Sequence, residues 1–283
     1  MAYPSQVGPL AIAHRGGAGL APENTLAAFG RATALGIRYL ETDVRLTRDG
    51  QLACFHDETL DRVTSARGPV RHRTMAELRR LGVGGEPIVT LTEALEAFPD
   101  ARFTVDMKEG AAIEPMARVL AQRSVGERVC VAGAWDGWLR RLRELAPHAH
   151  TALGWRSLTT LISCARAGVN APRWVRTAEF AHVPVSLGRV PVFVDRLVDK
   201  AHAHGIRIIV WTVDEPGLMD RLLDAGVDGI ITDRPDVLRE SWIRRGIWDP
   251  MPTTPLPDFV PHTDTTKGAF RSTDRVRMGH EVA

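Results

Sequence analysis

Twice near its C-terminal end the chain repeats one rhythm: an amphipathic stretch, a glycine, then a short apolar strand. "AHAHGIRIIVW" (201–211) and "LLDAGVDGIIT" (222–232) both follow it. A glycine just past a helix supplies the left-handed residue that closes it, and a β-branched apolar run reads as a buried strand. The rhythm extends upstream. Strand candidates fall at 10–14, 39–46, 52–56, 103–108, 128–133, 150–155, 178–186, 206–213 and 227–232. Helical patterns lie at 24–35, 91–97, 112–123, 136–145, 157–167, 191–204 and 216–225, with Gly36, Gly168, Gly205 and Gly226 just past helical stretches. Such alternation marks βα units and a parallel sheet. A chain of 283 residues is the right length for one (β/α)8 barrel of the TIM type. An open doubly wound sheet is the alternative, but its glycine-rich dinucleotide fingerprint is missing.

Nine strand candidates are one more than the barrel needs. The surplus is explained if 39–46 and 52–56 form a hairpin around "TRDG", since Asp-Gly is a strong hairpin signal. A two-residue turn at Asp49-Gly50 would pair Asp43 with His56, and a four-residue turn over 47–50 would pair Glu41 with His56. Either register sets His56 across from a carboxylate on one face. Residues 58–90 contain "TSARGPVRHRTMAELRRLGVGGEP", with a short helix near 74–81, and read as a small insertion over one rim, after the second barrel strand. The barrel domain is expected over 1–247. The stretch 248–283 is rich in Pro, Thr and Asp without periodicity and reads as a disordered or loosely docked tail.

Composition closes off several classes. The balance of 36 basic against 34 acidic residues, net +2, leaves no electrostatic footprint for nucleic acid. Cys54, Cys130 and Cys164 lack metal-ligand spacing, and Cys54 and Cys130 lie in apolar runs as small core residues. That usage suits a reducing compartment. "MAYPSQVGPLAIAHRGG" has no basic start followed by a long apolar run, so no signal peptide is expected. No window approaches ~18 uninterrupted apolar residues, so no membrane span is expected either. A cytoplasmic protein is the simplest reading. Oligomeric state leaves no trace in the sequence.

In a βα-barrel, chemistry sits at the C-terminal ends of the strands. Several ends carry ionisable residues: His14-Arg15 after the first strand, Glu41 and Asp43 on the second, His56 on the returning hairpin strand, Asp106 and Lys108 on 103–108, and Trp211 and Asp214 near the end of 206–213. Residues two apart on a strand share a face. Glu41, Asp43 and Asp106 converging on one mouth would repel one another, and a divalent cation removes the conflict. All-oxygen ligation suits Mg2+ or Ca2+ over Zn2+. Arg15 and Lys108 beside such a cation suit an anionic substrate, a phosphate above all. Two histidines can divide the work of base and acid. Each residue alone has a plainer account: a rim salt bridge, a hydrogen-bonded rim histidine, a solvated charge, or a core tryptophan. Their coincidence at strand ends favours the functional one. His72, His148, His150, His182, His202 and His204 are assigned to loops or helices, in surface or structural roles.

At this point the sequence resembles the glycerophosphodiester phosphodiesterase family. "AHRGGAGLAPENTLAAFGRATALGIRYLETDVRLTRDGQLACFHDETLDRVT" (13–64) carries the family's HRG, PENT, ExD and HD-x-x-LDR-x-T elements in order. "VDMK" stands where the family has a Glu-x-Lys strand, and "GIRIIVWTVD" and "GVDGIITDRPDVL" match the last two barrel strands. The resemblance spans about 10–240. It implies a barrel enzyme that hydrolyses glycerophosphodiesters to sn-glycerol 3-phosphate and an alcohol. His14 and His56 would be the acid/base pair, Glu41, Asp43 and Asp106 the metal ligands, Arg15 and Lys108 the phosphate binders, and Trp211 a wall of the glycerol or head-group pocket. The nucleophile is either a glycerol hydroxyl, giving a cyclic phosphate, or water. Three departures stand out. Asp106 is one methylene shorter than the usual Glu, "AGAWD" replaces the usual Ser and Phe and puts Trp135 in that space, and "AEFAHVPVSLG" matches only loosely. The rival readings are a lysophospholipase D-like or other lipid phosphodiesterase, for which 155–175 is the one ambiguous apolar segment, and a non-catalytic phosphodiester-binding barrel.

Overall fold

The computed structural model of the chain describes residues 3–4, 8–187, 190–192 and 196–250. In chain order the strands are β1 (Leu10–Ala13), β2 (Tyr39–Leu46), β3 (Leu52–Cys54), β4 (Arg102–Met107), β5 (Val129–Gly133), β6 (His150–Thr151), β7 (Phe180–Pro184), β8 (Ser186–Leu187), β9 (Val190–Pro191), β10 (Arg207–Trp211) and β11 (Gly229–Thr232). Eight of them form a parallel sheet in the order β6-β5-β4-β2-β1-β11-β10-β7. Its two ends meet at a parallel bridge between Ala152 and Phe180, so the barrel is nearly closed. β8 and β9 make a separate antiparallel pair. The expected (β/α)8 architecture is what the chain adopts.

The ninth strand of the sheet, β3, pairs antiparallel with β2, as the hairpin reading required. Its register corrects that reading. Val44 faces Cys54 and Leu46 faces Leu52, so neither Asp43 nor Glu41 stands opposite His56. The reason lies in the turn. Gly50 N–H donates to the Thr47 carbonyl (3.0 Å) and Thr47 N–H to the Gln51 carbonyl (2.9 Å), which leaves a three-residue loop. Gly50 takes φ 75°, the left-handed residue that such a loop needs. His56 reaches the barrel mouth by another route: β3 ends at Cys54, and His56 lies beyond the strand.

The helices are α1 (Leu26–Ala34), α2 (Met75–Leu81), α3 (Leu91–Ala97), α4 (Ile113–Leu120), α5 (Arg123–Gly126), α6 (Asp136–Leu145), α7 (Trp155–Ala167), α8 (Leu197–His202), α9 (Pro216–Asp224) and α10 (Pro235–Arg244). Reciprocal capping boxes start α2 (Thr74, Glu77) and α3 (Thr90, Glu93). α10 has no counterpart among the expected helices, although Pro235 at its first turn and Asp236 beside it are start signals. Strand side chains alternate between two cores. Leu10, Ile12, Tyr39, Cys130, Phe180, Ile209 and Ile231 form one cluster, with Tyr3 wedged among them and its hydroxyl bonded to Thr104 Oγ1 (2.9 Å). Ala11, Ala13, Leu40, Val44, Phe103 and Val105 join the larger cluster that includes helix residues. Within 58–90, Leu60, Val70, Met75, Leu78, Val83 and Ile88 build a satellite cluster with Ala53 and Phe55. Of the expected tail, 251–283 lie outside the described residues. Trp248 packs edge-on against Trp242, ring centroids 6.4 Å apart. No described helix is long and apolar enough to cross a membrane.

Candidate active site

β1 ends in a tight turn at the barrel rim. His14–Gly16 form one turn of 3-10 helix in which Arg15 takes φ 50°. Gly16 is required here, because a Cβ would lie 2.6 Å from the Phe29 ring and 2.9 Å from Ala28 Cβ. The turn therefore packs flat against α1. It aims Arg15 N–H at Glu41 Oε2 (2.7 Å) and brings His14 Nε2 within 3.9 Å of the same oxygen.

His14, Arg15, Glu41, Asp43, His56, Asp106, Lys108 and Trp211 line one cavity of about 380 Å3 at this end of the barrel. β2 and β4 set the carboxylates side by side, with Asp43 registered against Asp106 and Glu41 one step deeper against Thr104. Glu41 and Asp43 are buried. Burial, with Asp43 close by, pushes the Glu41 carboxyl up to about 7. Burial pushes Asp43 the same way, but Lys108, His56 and Arg15 outweigh it and hold Asp43 well below the usual carboxylate range. Lys108 Nζ lies between Asp43 Oδ1 (2.9 Å) and Asp106 Oδ2 (2.6 Å). Arg15 is held by Glu23 (2.9 Å) and lies 3.5 Å from Asp43. Among the described residues no three His, Cys, Asp or Glu stand in ready ligating geometry. The Lys108 ammonium instead sits between two of the three carboxylates proposed as ligands.

Each histidine has its own carboxylate. His14 Nδ1 lies 2.7 Å from Asp233 Oδ1, and His56 Nδ1 lies 2.6 Å from Asp57 Oδ1. A carboxylate only accepts, so each Nδ1 carries the proton and each Nε2 is left for other work. Burial pulls His14 down, but the Asp233 hydrogen bond and Glu41 outweigh it, so its pKa is raised. For His56, burial dominates, Lys108 and Arg15 add to it, and its pKa is lowered.

Sequence reasoning missed five residues that hold these groups. Asp233 follows β11, and its own N–H is fixed by Asp214 Oδ1 (2.8 Å). Asp57 is gripped by Arg62, whose Nη1 and Nη2 also fork onto Glu23 at 2.8 and 2.7 Å. Asn24 donates to Asp43 Oδ2 (3.0 Å). Asn24, Glu23, Asp57 and Arg62 were in plain view inside PENT and HD-x-x-LDR. Only their partners were hidden. A separate correction concerns His182. It belongs to β7, not to a loop or helix, and it lines the cavity. Its Nε2 is shut off from solvent without a hydrogen-bond partner. Burial lowers its pKa to about 4, so the ring is neutral. Trp135 does not fill the cavity. It is 62% exposed, and Trp155 lines the wall instead. A larger groove of about 1330 Å3 lies by the opposite strand ends, lined in part by Arg38, Arg102 and Arg128. Arg128 there donates to the carbonyls of Leu95, Phe98 and Ala101, a structural task.

A sequence profile of the glycerophosphoryl diester phosphodiesterase family matches residues 14–237. A Mycobacterium tuberculosis protein named "Probable glycerophosphodiester phosphodiesterase 2" is 39% identical over 247 residues, covering 86% of this chain and 94% of its own. A glycerophosphodiester phosphodiesterase of Caldanaerobacter subterraneus subsp. tengcongensis is 36% identical over 255 residues, covering 84% and 98%. Among solved structures, an Oleispira antarctica phosphodiesterase in complex with the product sn-glycerol-3-phosphate superposes with a TM-score of 0.67 at 25% identity, covering 83% of this chain and 96% of that one.

Proposed function

Because the chain belongs to the glycerophosphoryl diester phosphodiesterase family, we propose that its cavity hydrolyses glycerophosphodiesters to sn-glycerol 3-phosphate and an alcohol by two-histidine acid/base catalysis with one divalent cation. The chain is a glycerophosphodiester phosphodiesterase, a phosphoric diester hydrolase. The observation that carries the mechanism is the pair of histidines, each backed by a carboxylate, facing two buried carboxylates and two cations in one cavity.

Glu41, Asp43 and Asp106 would hold Mg2+ or Ca2+. The donor set is all oxygen, as a hard cation wants. The fit shows in the charge imbalance: the crowded, buried Glu41 carboxyl is driven up to about 7, and positive charge beside it would let it ionise. When bound, the cation supplies charge stabilisation to the phosphoryl oxygens. The remaining work falls to side chains. Arg15 forks onto the phosphate and Lys108 contributes a point charge. His56, held neutral by burial and its neighbours, takes the proton from the attacking hydroxyl or water. The phosphorus–oxygen bond to the alcohol breaks as the new one forms. His14, kept protonated through Asp233 and Glu41, returns a proton to the departing oxygen. Trp211 walls the glycerol or head-group side.

Three free cysteines, two of them buried, support the cytoplasmic location within the same reading. The test is incubation with glycerophosphodiesters and lysophospholipids in Mg2+, Ca2+ or EDTA, with glycerol phosphate and free choline measured separately. Release of glycerol phosphate only with added cation is expected. Turnover indifferent to EDTA removes the cation from the mechanism, and exclusive attack on lysophospholipids replaces the substrate class.

A further inference from the structure

The segment left ambiguous in the sequence is the most one-sided part of the molecule. Between Glu144 and Glu179 there is no Asp or Glu, although the chain carries 34 of them and about four would be expected in a stretch of this length. The same stretch holds Arg156, Arg166, Arg173 and Arg176, all exposed. Arg156, Arg173 and Arg176 enter no ion pair with a described residue. The apolar side of α7 is buried through Leu158, Leu161, Ile162 and Ala165, so its basic side alone meets solvent.

Two tryptophans stand exposed near this face. Trp174 is 44% exposed, with the Arg156 guanidinium 4.9 Å over its ring. Trp135 is 62% exposed, and its chain neighbours on both sides touch the start of α7. Its neighbour Ala134 accepts a hydrogen bond from Trp155 N–H (2.9 Å), and Asp136 caps α7 at Arg156 N–H (3.1 Å). Asp136, the carboxylate nearest the patch in sequence, is further occupied by Ser157. The patch borders the catalytic mouth, since Ala134, Trp155 and Leu158 also line the cavity.

We propose that this face docks the enzyme on an anionic phospholipid surface, with the cavity mouth turned toward the bilayer. Exposed indoles beside arginines suit the headgroup region, where the ring meets the acyl boundary and the guanidinium meets lipid phosphate. From the patch an apolar wall of Trp155, Leu158 and Leu153 leads into the cavity. That path suits a lipid-derived substrate and has no use in nucleic-acid binding. The docking does not depend on the hydrolytic reading, because none of its residues has a part in the chemistry.

The experiment is flotation of the full chain with vesicles of phosphatidylglycerol and phosphatidylcholine in equal parts, against pure phosphatidylcholine, at low and high salt. Each arginine near an anionic surface contributes about a fivefold factor in partition. The triple variant Arg156→Gln, Arg173→Gln, Arg176→Gln should therefore partition on the order of 100-fold more weakly at low salt. The pair Trp135→Ala, Trp174→Ala should lose at least about tenfold through lost apolar contact. Turnover of a water-soluble glycerophosphodiester should stay unchanged in both variants, which also shows that they fold. Equal partition onto both vesicle types overturns the proposal, as does a triple variant that floats like wild type. Retention on a DNA duplex without vesicle binding overturns it in favour of a nucleic-acid surface.

Discussion

Asn24 offers the sharpest quantitative test, because its environment is fully accounted for. The residue is 2% exposed and takes φ 58°, the left-handed region. Its Nδ2 donates to Asp43 Oδ2 at 3.0 Å, and its Oδ1 accepts from Thr42 Oγ1 at 2.7 Å and from Asp43 N–H at 3.2 Å. Replacing Asn24 with Ala removes a charge-assisted hydrogen bond, about 1.5–3 kcal/mol. It also strands a buried hydroxyl and a buried N–H, about 1–3 kcal/mol each if nothing replaces the acceptor. The left-handed backbone adds less than about 1 kcal/mol, because Asn already carries a Cβ and Ala lacks only its better tolerance of this region. Water entering the space returns part of this, so the expected loss is on the order of 3–6 kcal/mol. Asn24→Gly isolates the backbone part. It loses the same hydrogen bonds but tolerates the positive φ, at the cost of unfolded-chain entropy. It should therefore be more stable than Asn24→Ala by about 0.5–1 kcal/mol. Urea unfolding followed by tryptophan fluorescence measures both. An Ala variant within 1 kcal/mol of wild type, or one more stable than the Gly variant, would refute the reasoning.

Other expectations follow from the same geometry. His14→Ala and His56→Ala should each lower turnover by about 10²–10⁴-fold while the urea midpoint stays close to wild type, and near-wild-type rates in either remove it from the chemistry. Asp43→Asn should weaken the response of turnover to added Mg2+ or Ca2+, read as the cation concentration giving half-maximal rate. His182 gives a pH signature in stability. Its folded value, about 4, lies below the ordinary 6.5, so the unfolded chain takes the proton first. The stabilisation from the neutral ring is complete above the unfolded value and is lost as pH falls toward the folded one, about 3 kcal/mol in all. Urea midpoints should fall between pH 7 and 4.5 in wild type and fall less in His182→Gln. Equal falls would assign the acid sensitivity elsewhere.

How far the sequence could be read depended on where each residue's partners lie. Local periodicity located the barrel, because strand and helix patterns depend on neighbours two to four residues away. α3 and α6 appear at Leu91–Ala97 and Asp136–Leu145, where the patterns placed them. The hairpin shows the limit of local logic. Asp49-Gly50 marked the turn, but Gly50 served as the left-handed third residue of a longer loop, and that one-residue slip changed every cross-strand partner. His182 was misread for a different reason. It falls inside the expected strand 178–186 but was grouped with the loop and helix histidines, although strand alternation turns its ring toward the cavity.

The same contrast explains what local logic left out of the site. His56 and Asp57 are adjacent in sequence, so their pairing could be suspected from "HD". His14 and Asp233 lie 219 residues apart, and only closure of the sheet through β1 and β11 joins them. The register there sets Ala13 beside Thr232, so the residues that follow, His14 and Asp233, emerge together at the barrel mouth. A histidine placed just past the first strand and an aspartate just past the last therefore meet in a barrel, whereas in an open sheet they would meet only if those strands were neighbours. The His14–Asp233 pair thus links the fold to the chemistry: barrel closure gives His14 its fixed tautomer and raised pKa. Asp233→Asn should keep the barrel folded and leave His14 without its anionic partner. The alkaline limb of the pH–rate profile, where His14 loses the proton it donates, should shift to lower pH, and an unchanged limb would mean that Asp233 does not tune His14.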